Sequence, residues 1–466
     1  MGEQLSGVDR AWLLMDRPTN PMVIIGLLVL ARPLSVARLQ RLVGERFLAF
    51  PRFRQAPLKD ATSASWVEAE QFDITDHVIR LALPQEAGQA ELEELVGELA
   101  STPFRAGTPL WTFHLVDGYQ GGCAIIVRVH HCYADGIALL GVLLSLADPT
   151  GHRPRPAPRE APALAPEQAS PGGGLLTGLI PEYVLRALRE GADVIEKGIH
   201  YALHPGEGAL LAQEVLGLTA ELARLGLLPQ DPSTRLKQPL SGMRRAAWAD
   251  PLALDEVRTI GSVLGCSVND VLVSSLAGAL GQYLQASGEE ISGRTLHAAL
   301  PVNLRSDADS QKLGNRFGLV FLPVPIGIRH PLERLYAVHA SMQSLKGSSQ
   351  ALATLGLLSL VGNLPAALED PAVELFTAKA SLVASNLRGP TRPVRIGGIP
   401  ITQVLFWVPQ GGSIGTGVSI LSYAGRVQFG VIADRRLIPN PRELVELIGA
   451  EFERLVYLVL LGGGSL

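Results

Sequence analysis

The segment AIIVRVHH, residues 124–131, is apolar up to its two histidines apart from Arg128, which predicts a β-strand whose side chains alternate between two faces. The alternation divides this strand into two faces, one with Ile125, Val127, Val129 and His131 and the other with Ile126, Arg128 and His130. The apolar segment WTFHLVD precedes it, and the turn DGYQGG between them predicts a hairpin. The run GIALLGVLLSLA then predicts a buried helix. His131 is therefore expected on an apolar face, where a hairpin leads into a helix.

The second half of the chain ends with the same order of elements. GVSILSYAGRVQFGVIAD predicts a strand, an Ala424-Gly425 turn and a second strand. NPRELVELIGAEFERLVYLVLL predicts a helix capped by Asn440, with Pro441 at its first position. The repetition predicts an α/β fold made of two related halves, of which only the first carries adjacent histidines.

The stretch between Asp148 and Gly174 is dense in Pro, Ala and Gly, which predicts an exposed linker. Apolar residues then recur twice at helical spacing, which predicts two helices that bridge the halves. These residues are Val184, Leu188, Ala192, Ile195 and Ile199, and then Leu211, Val215, Leu218, Leu222 and Leu225. We therefore predict a first domain at 1–148, a linker with crossover helices at 149–238, and a second domain at 239–466.

The length and net charge of the chain bear on the number of domains and on the kind of partner. A chain of 466 residues is too long for one ordinary core and fits two domains. Its 40 Lys and Arg against 44 Asp and Glu give a net charge of -4, so nucleic acid is not expected as a partner. A small molecule or a lipid is expected instead.

Cysteine use and hydropathy bear on the location of the protein. Three cysteines form no CxxC pair, which fits a reducing compartment and predicts a cytoplasmic protein. No uninterrupted apolar run reaches the ~18 residues that a membrane-spanning helix needs. Peripheral contact with the inner membrane or with lipid inclusions stays open.

The histidine pair is the strongest candidate for chemistry. Desolvation on an apolar face lowers the pKa of an imidazole, so His131 would stay neutral and available as a general base near neutral pH. The alternative for His131 is an ordinary core histidine, but its position at a strand end beside Asp135 and Gly136 favours a site. Gly136 is expected to permit the tight turn into the helix. A metal site is not expected, because the sequence has neither HExxH nor a Cys/His cluster.

His130-His131-Cys132-Tyr133-Ala134-Asp135-Gly136 reproduces the HHxxxDG motif of acyl-CoA-dependent acyltransferases. The whole chain resembles, more narrowly, the bacterial wax ester synthase/diacylglycerol acyltransferase family. Further segments match that family in order, and these are LSGVDRAWLLMD, PLWTFHLV, PLSG, VNDVLVSSLAGALGQYL, PVNLR, LGNRFG and SNLRGP.

The resemblance implies two domains like chloramphenicol acetyltransferase around a central substrate tunnel. Acyl-CoA would enter as cosubstrate, with no permanently bound cofactor and no metal, and a long-chain alcohol or diacylglycerol would accept the acyl group. The product would be a wax ester or triacylglycerol. His131 would deprotonate the acceptor hydroxyl without an acyl-enzyme, and His130 would position it.

The same resemblance implies structural roles for other residues. Asp135 is expected to point away from His131 and to pair with an arginine, for which we propose Arg305 of PVNLR. Asn269 and Asp270 belong to a family motif, yet Ser267-Val268-Asn269-Asp270 is itself a capping box, so a helix start and a domain contact are favoured over chemistry.

Two other functions stay open. One is a condensation-type enzyme with a carrier-protein donor or another acceptor, since such proteins share HHxxxDG. The other is a non-catalytic lipid-binding protein on membranes or lipid droplets.

Overall fold

The computed structural model describes residues 3–59, 64–84, 88–148, 228–305, 313–346, 348–362, 373–374 and 376–462. The two predicted crossover helices and most of the predicted linker lie outside the described residues. The strands are β1 (Glu3–Gln4), β2 (Val23–Leu30), β3 (Gln55–Lys59), β4 (Ala64–Glu68), β5 (Val78–Ala82), β6 (Trp111–Asp117), β7 (Cys123–His130), β8 (Arg244–Trp248), β9 (Leu252–Ala253), β10 (Leu296–Asn303), β11 (Phe317–Val324), β12 (Leu382–Arg388), β13 (Arg395–Ile396), β14 (Ile399–Trp407), β15 (Thr416–Tyr423) and β16 (Arg426–Asp434). The α-helices are α1 (Gly7–Met15), α2 (Val36–Leu42), α3 (Ile74–His77), α4 (Gln89–Ser101), α5 (Gly136–Ser145), α6 (Leu254–Val263), α7 (Val268–Ala286), α8 (Pro331–Leu345), α9 (Gln350–Val361) and α10 (Pro441–Gly462).

The first sheet contains the predicted hairpin. Its strand order is β13-β14-β2-β7-β6-β5, and β6 and β7 pair antiparallel with Trp111 opposite Val129. All eight residues of β2 are buried, which explains why VIIGLLVL is a continuous apolar run rather than an alternating one. The predicted helix follows as α5, so the hairpin and helix of the first half are confirmed.

The second sheet contains the second predicted hairpin, in the order β11-β10-β12-β15-β16-β8 with β9 also on β16. Its tight turn has Ala424 at φ 49° and Gly425 at φ 77°, the left-handed backbone that a two-residue hairpin turn requires at both positions. Helix α10 begins at Pro441, as the sequence predicts. The α/β fold with two large sheets is therefore confirmed, and strands β1, β4 and β3 form a third, smaller sheet.

The predicted domain boundary at residue 239 does not separate the strands of the two sheets. Strands β13 and β14 come from the second half, yet β14 pairs antiparallel with β2, with Phe406 opposite Gly26. The first sheet is therefore completed by the second half of the chain.

The two sheets share one hydrophobic cluster. It joins Trp12 of α1 and Val127 of β7 to Phe317 of β11 and Val383 of β12. An apolar cavity lies in this shared core, lined by α1, by the segment after β7 and by β10, β11 and β12. The predicted tunnel position between the halves corresponds to this cavity.

Among the described helices, none alone is both long and apolar enough to cross a membrane. The bent pair Leu254–Val263 and Val268–Ala286 meets the criterion only jointly, with 96° between its members.

Candidate active site

The histidine pair lies where β7 leads into the turn before α5: His130 is the last residue of β7, and His131 is the first residue of the turn. The backbone N–H of His131 donates to the carbonyl of Met22 at 2.8 Å, beside β2. Ala134 forms an isolated bridge with Gly314, and the N–H of Asp135 donates to the Gly314 carbonyl at 3.3 Å. The turn is thus attached both to its own sheet and to the segment that precedes β11.

His131 is 3% exposed and lines the cavity. The indole of Trp12 stacks on its ring, with centroids 4.1 Å apart and 21° between the planes, and Phe317 lies at 5.5 Å. Burial lowers the pKa of His131 to about 4, while its own carbonyl, Asp135 and Asn315 oppose the shift more weakly. The imidazole is therefore neutral at neutral pH, as a general base must be.

Helix α1 and the loop before β11 hold the backbone at His131. The side-chain amide of Asn315 donates to the His131 carbonyl and to Asp9 Oδ1, at 2.8 Å in both cases. Asp9 belongs to α1, whose N-cap Ser6 accepts from the Asp9 N–H at 3.1 Å. Trp12 and Asp9 are one helical turn apart, so α1 contacts His131 both directly and through Asn315.

Asp135 makes no hydrogen bond to His131. Arg305 donates to Asp135 Oδ2 from Nη2 at 2.7 Å and from Nε at 3.1 Å, and both side chains are buried. Asp135 Oδ1 accepts from the N–H of Ala138, which caps α5, and Oδ2 also accepts from the N–H of Arg316 at 3.1 Å. The predicted Asp135–Arg305 pair is present, and it joins the motif to the second half of the chain.

His130 points away from the cavity and does not line it. Its Nδ1 accepts from the N–H of Cys132 at 3.2 Å, and its Nε2 lies 3.8 Å from Asp16 Oδ1. These contacts stabilise the turn rather than present a second base.

The prediction that Gly136 is needed for a tight turn into α5 was wrong. Gly136 is the first residue of α5 and has no left-handed φ, so the turn does not need glycine for its backbone. A Cβ there would lie 3.2 Å from Val408 Cγ1 and 3.3 Å from Phe406 Cε1. Close packing against the segment after β14 is what favours glycine.

Asn269 and Asp270 lie at the start of α7. Ser267 and Asp270 form the predicted capping box, with bonds of 3.2 and 2.7 Å. Asn269 Oδ1 accepts from the side-chain amide of Asn386 at 2.9 Å, and Asn386 lines the cavity. The helix start is confirmed, and the contact that Asn269 makes is within the second half.

A cluster of Cys, Asp and His side chains, which no local sequence pattern predicts, also forms at the start of α7. Donor atoms of Cys266, Asp270 and His339 lie within 4.8 Å of one another, and His339 Nδ1 is 2.8 Å from Asp270 Oδ2. The positive end of the α7 dipole lies at the same point, which disfavours a bound cation.

Trp12, Asn315, Phe317 and Ser385 were not singled out from the sequence. They lie in segments that carried the resemblance or beside them, so the segments were marked but the side chains were not. Trp12, Asn315 and Phe317 contact His131 from more than a hundred positions away in the chain, which local periodicity does not report.

Two mixed sheets that meet at an HHxxxDG turn define a protein with the fold of the HHxxxDG acyltransferases. The family model described as the wax ester synthase/diacylglycerol acyltransferase catalytic domain matches residues 5–272, and its C-terminal domain matches 313–456. The chain belongs to the wax ester synthase/diacylglycerol acyltransferase family.

Relatives cover nearly the whole chain. Rv0895 of Mycobacterium tuberculosis H37Rv, named as a diacylglycerol O-acyltransferase, is 28% identical over 99% of this chain and 92% of its own. The tgs1 protein of the same strain, with the same enzyme name, is 28% identical over 87% of this chain and 84% of its own.

Solved structures support the fold. The wax ester synthase/diacylglycerol acyltransferase of Marinobacter aquaeolei VT8 superposes with a TM-score of 0.68 at 21% identity, covering 99% of this chain and 100% of that one. The first condensation domain of the calcium-dependent antibiotic synthetase gives 0.60 at 15% identity, covering 98% and 96%. The fold predicted from the resemblance is confirmed by both.

Proposed function

We propose that this chain transfers a long-chain acyl group from acyl-CoA to the hydroxyl of a long-chain alcohol or diacylglycerol, giving a wax ester or triacylglycerol. The observation that carries the proposal is a neutral His131 in an apolar cavity between the two sheets. Family membership and the names of the relatives support the same reaction class.

In this reaction, His131 takes the proton of the acceptor hydroxyl, whose oxygen attacks the thioester carbonyl carbon. The carbon–sulfur bond then breaks, and the CoA thiolate takes the proton back from the imidazolium. A positioned base contributes ~100 to 10,000-fold, and orientation in the cavity contributes further.

Direct transfer, without an acyl-enzyme, is supported by Cys132. Cys132 follows His131 directly in the sequence, but burial raises the pKa of its thiol well above the usual range. A protonated thiol is a poor nucleophile.

Structural roles at the site are proposed for six residues. Asp135 and Arg305 hold the turn between β7 and α5, and His130 orients the backbone of that turn. Gly136 permits close packing of α5 against the end of β14. Asn269 and Asp270 hold the start of α7 and, through Asn386, one wall of the cavity.

A cytoplasmic protein with peripheral contact to a membrane or lipid-inclusion surface is also part of the proposal. The last turns of α10 expose Tyr457, Leu460 and Leu461, with 61%, 71% and 82% of each residue accessible. Such apolar side chains favour a lipid surface, where an acceptor of this kind would be found.

The test is the release of free CoA from palmitoyl-CoA, with hexadecanol or dioleoylglycerol offered separately. Wild type should show release that depends on the acceptor, and His131→Ala should lower the rate by ~100 to 10,000-fold. His114→Gln is the matched control, because His114 is also buried with its pKa lowered to about 4 by burial, yet it does not line the cavity.

The alternatives give different results. Release only from a carrier-protein thioester would favour a condensation-type enzyme. Flotation with phospholipid vesicles, without transfer from either donor, would favour a lipid-binding protein. Equal losses in the His131 and His114 variants would count against the assigned base.

A further inference from the structure

One wall of the cavity is formed by neighbouring strands of the second sheet, and the strand register divides this wall into successive levels. The paired residues of β10 and β11 that line it are, in order, Asn303 with Phe317, Pro301 with Leu319, and Ala299 with Phe321. The first pair adjoins the base, since the rings of Phe317 and His131 are 5.5 Å apart. Four residues of a strand rise ~13 Å, so the wall extends about that far from Phe317 to Phe321.

The end of the cavity beside His131 reaches the surface. Ile137 lies in the first turn of α5, lines the cavity and is 36% exposed. The CoA part of a donor is large and charged, so it stays at this opening rather than in an apolar interior. With the thioester carbon at His131, the acyl chain extends away from the opening, along the second sheet.

The apolar wall ends one level beyond Phe321. On the same face of the next level lie His297 of β10 and Ser381, which precedes β12, and neither residue lines the cavity. Asp231 connects them, because its Oδ1 is 2.6 Å from His297 Nδ1 and its Oδ2 accepts from Ser381 Oγ at 2.7 Å. These polar groups are bonded to one another, so an alkyl chain finds no apolar surface past Phe321.

Two aromatic rings occupy the last apolar level. The ring of Phe376 meets that of Phe321 nearly edge-on, with centroids 5.0 Å apart and 67° between the planes, and both residues line the cavity. The backbone N–H of Phe321 donates to Gln350 Oε1 of α9 at 2.6 Å, which fixes the strand at this level. Between Phe321 on β11 and Val383 on β12, strand β10 contributes only the methyl group of Ala299. The space over Ala299 is therefore the place for the end of a chain.

We propose that Ala299, Phe321 and Phe376 set the length of the acyl group that the enzyme accepts, by receiving the methyl end of that group. This rests on the proposed function. The acyl group is the reactant common to a wax ester and a triacylglycerol, whereas the acceptor carries one chain or two. A wall that ends over one small residue suits a single chain, so it is assigned to the donor.

The experiment changes the space over Ala299 in both directions. Ala299→Leu fills the space and Phe376→Ala enlarges it. In the CoA-release assay with hexadecanol, kcat/KM is measured for octanoyl-CoA, palmitoyl-CoA and arachidoyl-CoA. Ala299→Leu should lower the palmitoyl-to-octanoyl ratio by ~10 to 200-fold, because terminal methylenes lose their place in an apolar pocket. Phe376→Ala should raise the arachidoyl-to-palmitoyl ratio by at least ~10-fold.

Ala298→Leu is the matched control. Ala298 precedes Ala299 on β10 and is 1% exposed, but it belongs to the core on the other side of the sheet and does not line the cavity. Overpacking at this position should lower the melting temperature without changing either ratio. Each ratio compares two donors in one preparation, so it does not depend on the fraction of folded protein.

Unchanged donor ratios in both Ala299→Leu and Phe376→Ala would overturn the proposal, as would equal shifts in Ala298→Leu. A second series keeps palmitoyl-CoA fixed and compares decanol with hexadecanol. A changed acceptor ratio with constant donor ratios would place the acceptor along this wall, which would also overturn the proposal. Absence of release by wild type with every donor would instead reject the proposed function.

Discussion

At the scale of single residues, the pKa of His131 is set mainly by burial rather than by a charged partner. Trp12 covers one face of the imidazole, and the hydrogen bonds of Asp135 go to other groups. Burial is accordingly the largest cause of the lowered pKa. The pH dependence of the reaction should report this burial directly.

We predict that the acid limb of kcat/KM lies near pH 4, because the pKa of His131 is lowered to about 4 and only the neutral ring acts as a base. Activity should be lost as pH falls through that value. Trp12→Ala opens the ring to water, which weakens desolvation and raises the pKa, so its limb should move up toward the ordinary value near 6.5. The measurement is kcat/KM against pH in the CoA-release assay.

Trp12→Phe is the control for this prediction, since it keeps an aromatic ring over the imidazole and should keep the limb near that of wild type. An unchanged limb in Trp12→Ala would show that Trp12 does not set the pKa. A limb near pH 6.5 in the wild type would show that water reaches His131 in solution.

The sequence identified His131 because the motif and the strand period both include it. Trp12 and Asn315 were not predicted, because each contacts His131 from an element that is distant in the chain. Neither a period of two nor a period of 3.6 reports such a contact.

At the scale of elements, one carboxylate connects three of them. Asp135 caps α5 through Ala138, accepts from the backbone N–H of Arg316 just before β11, and binds Arg305 just after β10. The pair with Arg305 was expected from the resemblance, whereas the bond to Arg316 was not. Because Asp135 makes all three contacts, its substitution should reduce stability by more than the loss of the ion pair alone.

Asp135→Ala should destabilise the protein severely. Leaving a buried Arg305 without its carboxylate costs ~3–5 kcal/mol, and loss of an N-cap costs about 1 kcal/mol more. Asp135→Asn keeps an oxygen for the cap and loses only the charge, so its loss of unfolding free energy should be smaller. The measurement is denaturant unfolding of both variants beside wild type.

Exchanging the two residues, as Asp135→Arg with Arg305→Asp, should not restore stability, because an arginine cannot accept from Ala138 or Arg316. Wild-type stability in Asp135→Ala would show that Arg305 is compensated by other groups. Full recovery in the exchanged variant would show that the cap is unimportant.

The hairpins were predicted correctly because period, turn residues and a following apolar run agree locally. The pairing of β14 with β2 was not predicted. It joins residues about 380 positions apart, such as Gly26 and Phe406. Neither segment carries a sequence pattern that indicates which strand it pairs with. The apolar run of β2 was a signal that both of its faces are covered, without showing by what.

At the scale of the whole molecule, the two strands that the second half contributes to the first sheet make the first half dependent on the second. Strand β14 contributes Leu405, Phe406 and Trp407 to the first sheet, and all three are buried. Burying each such side chain contributes ~1.5–3 kcal/mol. Without them, β2 would become an edge strand with apolar residues on both faces, an arrangement that promotes aggregation.

We therefore predict that residues 1–238, produced alone, form no cooperatively unfolding domain, although they contain the whole histidine motif and most of the first sheet. Production together with residues 239–466 should restore both a cooperative unfolding transition and CoA release, because the second fragment supplies β13 and β14. Size-exclusion chromatography and thermal unfolding of each fragment, alone and together, measure this. A stable, monomeric 1–238 fragment with a sharp unfolding transition would show that the first sheet needs only its own half. Since Arg305 and Asn315, which hold the histidine turn, also come from the second half, such a fragment should still be inactive, so folding and catalysis can be scored separately.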